Sequence, residues 1–134
     1  MPTTRTWIAA GIAFVAFVSL AVAQNDLTPK NRQELKHEDV PGTNMEMIVS
    51  VAEYQPGDML SRHIHHGEEG FYVLQGATLE TPDGKKITLA TGAAGVNHRD
   101  VPHGGLKVVG DTPLKLLNVH IVDKGVPLYD APPK

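Results

Sequence analysis

The densest group of side chains able to do chemistry lies between Gly57 and Gly76, in Gly-Asp-Met-Leu-Ser-Arg-His-Ile-His-His-Gly-Glu-Glu-Gly-Phe-Tyr-Val-Leu-Gln-Gly. His63, His65, His66, Glu68 and Glu69 crowd into this stretch. His63 and His65 are two residues apart. On an extended strand, residues i and i+2 share a face about 6.6 Å apart along the chain, so both imidazoles can lean onto one ion. A carboxylate four residues after His65, across the His66-Gly67 corner, can return to the same ion. The cluster proposes a metal site on a β scaffold. Glu68 and Glu69 compete for the carboxylate position. Glu69 shares the parity of Phe71 and Val73 and should face inward, leaving Glu68 outside. His66 sits on the corner, exposed, where it could hydrogen-bond a substrate.

The elements that must position these groups read as short strands. Met45 to Tyr54 alternates apolar with polar or small residues, is rich in β-branched types and stops at Pro56-Gly57. Met59 to His65 and Glu69 to Leu74 follow. Ala77 to Thr81 and Lys85 to Leu89 flank Pro82-Asp83-Gly84 and form a hairpin. Leu106 to Val109 and Leu114 to Val122 are split by the Gly110-Asp111-Thr112-Pro113 turn. Asn31 to Glu38 is open between a short strand and a helical turn, within an N-terminal arm (24–44) lying over the core. The tail from Gly125 is an extended arm (125–134). Seven or more short strands with regular turns and no amphipathic helix predict an all-β sandwich or barrel spanning 45–124. Met45, Met47 and Met59 are assigned to barrel packing; His37 and His120 match no motif.

Composition narrows the chemistry. The chain has 134 residues, enough for one domain, and no cysteine, so disulfides, thiolate metal sites and a cysteine nucleophile are excluded. A formal charge of −3 with scattered basic residues gives no footprint for nucleic acid. Arg5, the apolar run Ile8 to Val22 and the Ala21-Val22-Ala23 site predict a signal peptide over residues 1–23. The expected product starts at Gln24 and is exported to the periplasm or secreted, with no membrane association after cleavage.

The central stretch resembles the first motif of the cupin superfamily: Gly, five residues, His-x-His, three or four residues, Glu, six residues, Gly. Gly57, His63, His65, Glu69 and Gly76 meet every spacing. The second cupin motif, begun at Gly92, places its histidine on His103. His98, Asp100 and Lys107 stand where that motif has Pro, Gly and Asn, so it is degenerate. Val101-Pro102-His103 and Gly110-Asp111-Thr112-Pro113-Leu114 are further similar features. The resemblance covers about residues 45–122 and implies a cupin jelly-roll barrel, or double-stranded β-helix. It also implies a metal held by His63, His65, Glu69 and His103. His98 is the rival for the last place, through a shifted alignment.

Three imidazoles and one carboxylate suit one divalent Fe, Mn, Ni, Cu or Zn ion with one or two positions left open. The resemblance points to a metal-dependent, dioxygenase-like enzyme acting on a small molecule, with Glu69 doubling as ligand and catalytic base. The alternatives are a non-catalytic metal- or ligand-binding module and a metal-dependent isomerase or lyase. By analogy a homodimer is possible, with the N-terminal arm swapping onto a neighbour.

Overall fold

A computed structural model describes residues 27–134, so the signal peptide expected over 1–23 lies outside the described residues. Among the described residues, nine antiparallel strands form two sheets. They are β1 (Asn31–Asp39), β2 (Met45–Tyr54), β3 (Met59–Leu60), β4 (Gly67–Gln75), β5 (Ala77–Glu80), β6 (Lys86–Leu89), β7 (Ala94–Asn97), β8 (Leu106–Val109) and β9 (Leu114–Asp123). The larger sheet has the order β1-β2-β9-β4-β7 and the smaller β3-β8-β5-β6. The all-β jelly-roll expectation is met. Among the described residues no helix is long and apolar enough to cross a membrane.

Alternation dictates which residues face inside. In β2 the buried set is Ile48, Ser50, Ala52 and Tyr54; in β9 it is Leu114, Leu116, Asn118, His120 and Val122. Register then stacks these residues across the sheet in layers. Ala52 faces Leu116, which faces Val73; Ile48 faces His120, which faces Glu69, which faces Asn97. The first layer belongs to an apolar core with Tyr54, Leu79, Val108 and Leu114. Burying each such aliphatic side chain stabilises the fold by about 1.5–3 kcal/mol. The second layer is polar. One end of the barrel is therefore a hydrophobic plug, and the other holds ionisable groups that burial would penalise unless they found partners.

Several local expectations are revised. Asn31–Asp39, undecided between strand and helical turn, is an edge strand paired along β2 with a bulge between Glu34 and Lys36. The stretch Met59–His65 is not one strand: regular pairing stops at Leu60, and His63 and Ile64 make isolated bridges to His103 and Asp130. Met59 is 54% exposed and packs into no core. β7 was not anticipated; its pairing with β4 supplies Asn97 to the polar layer.

Candidate metal centre

Three segments meet at the polar end. His63 and His103 lie opposite each other and exchange both backbone hydrogen bonds, N to O at 3.0 Å each. His65 follows two residues after His63, so its ring falls on the same side. Glu69 enters from β4 and is buried, whereas Glu68 is exposed. Ligand atoms of His63, His65, Glu69 and His103 all lie within 4.8 Å of one another.

The hydrogen bonds behind these rings decide what the cluster can hold. His63 Nδ1 donates to the Ser61 carbonyl at 2.7 Å, His103 Nδ1 to the Val101 carbonyl at 2.9 Å, and His65 Nδ1 to the Leu128 carbonyl. Each neutral ring thus carries its proton on Nδ1 and presents a bare lone pair at Nε2. The Nε2 atoms of His63 and His65 are 3.1 Å apart, and Glu69 Oε2 is 3.3 Å from His65 Nε2 and 3.2 Å from His103 Nε2. Lone pairs facing each other at such distances repel unless a proton or a cation lies among them. Donors bound at roughly 2.1 Å to one ion stand about 3 Å apart, so the donor set fits a divalent metal. Backbone carbonyls that fix the tautomer and aim the ring are the usual support for a metal-bound histidine.

Electrostatics agree. Burial, reinforced by the neighbouring His65 and His103, pushes His63 down to about 4, keeping it neutral. Burial also acts on His103, but Glu69 and the Val101 carbonyl outweigh it and hold this ring above its ordinary value. Burial alone would raise Glu69; the surrounding imidazoles His103, His120 and His65 overcome it and hold the carboxyl well below the usual range. In its protonated form His103 carries a proton on Nε2, facing Glu69 Oε2 at 3.2 Å, which a metal would have to displace. Protons oppose binding, so apparent affinity should climb with pH up to the pKa of His103, above 6.5, and flatten beyond it. Zinc titrations between pH 5 and 8 are expected to show roughly tenfold weaker binding per unit of acidification at the low end. Equal affinity at pH 5 and pH 8 would contradict this.

His98 is exposed and stays outside the cluster, 2.9 Å from Glu68 Oε2 through Nδ1. His66 does not offer itself to a substrate. Its Nδ1 meets Asp100 Oδ1 at 2.7 Å and its Nε2 meets Asp130 Oδ2 at 3.2 Å, so both nitrogens are taken.

Two residues were missed. His120 is fully buried beside Glu69, Nε2 to Oε1 3.4 Å, with its ring 4.5 Å from that of His65. It flanks Glu69 on one side, while Asn97 Nδ2 donates to Oε2 at 2.7 Å on the other. The parity of β9 contained the signal, since His120 alternates with Leu114, Leu116 and Val122. Tyr129, in the tail, packs its ring 5.0 Å from His63 and 5.1 Å from His65. No local pattern announces it.

Beside the cluster lies a cavity of about 70 Å³ walled by His63, Glu69, Phe71, His103, Asn118 and Tyr129. A larger surface hollow of about 330 Å³ between β5, β6 and the Gly110 turn has Asp111 as its one ionisable residue and none of the cluster.

A family profile described as Cupin domain matches residues 50–120. The chain belongs to the cupin family. The cupin barrel is similar to a solved Klebsiella pneumoniae protein with a double-stranded β-helix domain (21% identity, 78% of this chain and 84% of that one, TM-score 0.57). It is also similar to the polyketide cyclase RemF of Streptomyces resistomycificus (25% identity, 74% and 68%, TM-score 0.54). A third similar structure is the SPY1581 protein of Streptococcus pyogenes (20% identity, 71% and 75%, TM-score 0.51). No functionally curated protein matches the chain significantly in sequence.

Proposed function

We propose that this cupin is an exported metal-dependent enzyme acting on a small molecule beside one divalent ion held by His63, His65, Glu69 and His103. The observation that carries the reading is the convergence of three Nδ1-anchored imidazoles and one carboxylate at the wall of a cavity. An all-nitrogen-and-oxygen donor set suits Fe, Mn, Ni, Cu or Zn, and four protein ligands leave room on the ion for a substrate atom, water or dioxygen. Phe71, Leu89 and Leu116 would take an apolar body, while Asn97 and Asn118 would orient a polar group. Asn118 Oδ1 is buried with no protein partner and needs a donor. Glu69 serves first as a ligand. A carboxyl held so far below neutral pH is a weak base, so Glu69 would chiefly hold the ion, which would supply Lewis acidity there, and would act as base only toward a strongly acidic proton.

Two chemistries compete. Dioxygenase-like oxidation is supported by the resemblance of the ligand set to that of cupins and by the positions it would leave open for dioxygen. Lewis-acid chemistry without oxygen, as in an isomerase, lyase or cyclase, is favoured by the likeness to RemF, a polyketide cyclase. The test loads the protein with each metal in turn and presents small diphenols and small carbonyl compounds, with and without oxygen. Oxygen uptake coupled to product supports the first; anaerobic product supports the second. Metal binding without turnover near one per second or faster, an ordinary enzymatic rate, would leave a non-catalytic binding module. No metal bound at all would overturn the proposal. Export is supported by Arg5 and Ala21-Val22-Ala23, and N-terminal sequencing of the exported protein checks it. Homodimerisation, still an expectation by analogy, is checked by sedimentation.

A further inference from the structure

The tail does more than close the chain. Leu128 offers its carbonyl to His65 Nδ1, Tyr129 lays its buried ring on His63 and His65, and Asp130 reaches His66. Asp130 also exchanges both backbone hydrogen bonds with Ile64, the residue between the two histidines, at 3.0 and 3.1 Å. Three consecutive tail residues thus touch His63, Ile64, His65 and His66. The three imidazoles are not anchored alike. His63 and His103 each use a carbonyl two residues earlier, which comes with their own turn of chain. His65 depends on a carbonyl 63 residues away.

The strap is short. Pro127, Pro132 and Pro133 lack the N–H that would extend its pairing on either side, and only the bridge to Ile64 is regular. Its attachment rests on these contacts and on the buried Tyr129 ring, and a terminal segment of this kind can open separately from the global fold.

We propose that docking of Leu128–Asp130 and loading of the metal centre are coupled. This rests on the metal reading above. The docked strap fixes the His65 tautomer and blocks rotation of the His63 and His65 rings, so Nε2 of His65 aims at the ion only while the strap is down. A metal in turn holds His65 in the orientation the Leu128 carbonyl accepts, and so holds the strap. Linkage makes the factor equal in both directions. Removal of a partner that orients a metal ligand weakens binding by about 10–100-fold, and Tyr129 is here a positioning residue.

The experiment compares the full chain with a chain ended after Val126 and with Tyr129→Ala, using Zn(II) for affinity and Co(II) as an optical probe. Folding of each is checked by its β-sheet circular dichroism and thermal melt. Zn(II) affinity is expected to fall about 10–100-fold in both variants, with the visible Co(II) bands shifting because His65 no longer ligates in one orientation. Hydrogen exchange on the full chain supplies the reverse measurement: the Ile64 and Asp130 amides should slow by the same factor on saturation with Zn(II). Should the truncated chain not fold, Tyr129→Ala and the exchange data decide. Full-length affinity and an unchanged Co(II) spectrum in folded variants, or exchange at Ile64 and Asp130 indifferent to metal, would overturn the coupling. Absence of metal binding by the full chain would instead strike the metal reading itself.

Discussion

Replacing His63 or Glu69 with alanine is expected to cost at least two orders of magnitude in divalent-metal affinity, while Glu68→Ala and His98→Ala leave it unchanged. The contrast follows from geometry. Glu69 Oε2 stands 3.3 and 3.2 Å from the Nε2 atoms of His65 and His103, and His63 Nε2 stands 3.1 Å from that of His65. Losing either removes a donor outright, a larger effect than the 10–100-fold loss typical of outer-shell partners. It also strands the neighbours: without Glu69, half-buried His103 and buried His120 lose their anionic partner. Glu68 and His98 pair with each other on the outside at 2.9 Å. That exposed pair is screened by solvent and contributes little to stability. Calorimetric titration of the four variants with Zn(II) reads the result directly. Wild-type affinity in His63→Ala and Glu69→Ala would move the site elsewhere.

Gly67→Ala is expected to be strongly destabilising, although it adds only a single methyl near the site. A Cβ at Gly67 would lie 2.1 Å from the Ile121 carbonyl oxygen, 2.5 Å from Val122 Cα and 2.9 Å from the Ile121 carbonyl carbon. All three are backbone atoms of β9, so no side-chain rotation can relieve the contact. The strand pair Gly67–Val122 must part, and β4 carries Glu69 with it. Overpacking typically costs about 1–3 kcal/mol, occasionally more. Here about 3 kcal/mol or more is expected, a drop of roughly 10–20 °C in melting midpoint for a domain of this size. Gly84→Ala is the control. It sits at the β5–β6 turn with φ near +80° and nothing within 4 Å, so only the left-handed backbone resists it, at about 1–2 kcal/mol. A Gly67→Ala protein melting no lower than Gly84→Ala would contradict the account.

The two predictions differ in how far they were visible before the fold was known. His63, His65 and Glu69 could be chosen because strand alternation is a local rule: two residues return to the same face, and Glu69 shares parity with the buried Val73. His103 came from the resemblance rather than from parity, and its bridge to His63 is a long-range pairing. His120 was within reach of the same local rule, but a histidine outside any motif carried no label. Gly67 carried none either. Its requirement arises from the approach of β9, whose register with β4 is set far along the chain.

The sequence by itself determined that this is an all-β cupin barrel and that one strand-and-corner stretch holds the ligand types a divalent metal needs. The all-β class and the ligand stretch follow from periodicity and spacing, which act over a few residues; the cupin identity came through the resemblance of Gly57 to Gly76 to a family motif. Only the tertiary structure decided which groups surround that stretch. Cross-strand register put His120 and Asn97 on either side of Glu69. Chain reversal at the C-terminus gave His65 its carbonyl and His63 its tyrosine. Asp100 and Asp130 closed on His66, removing it from the cavity. These contacts join residues tens of positions apart, and their energies appear only when the whole barrel has closed. The five candidates between Gly57 and Gly76 thereby become three members of the candidate metal centre, one outward partner of His98 and one clasp for the tail.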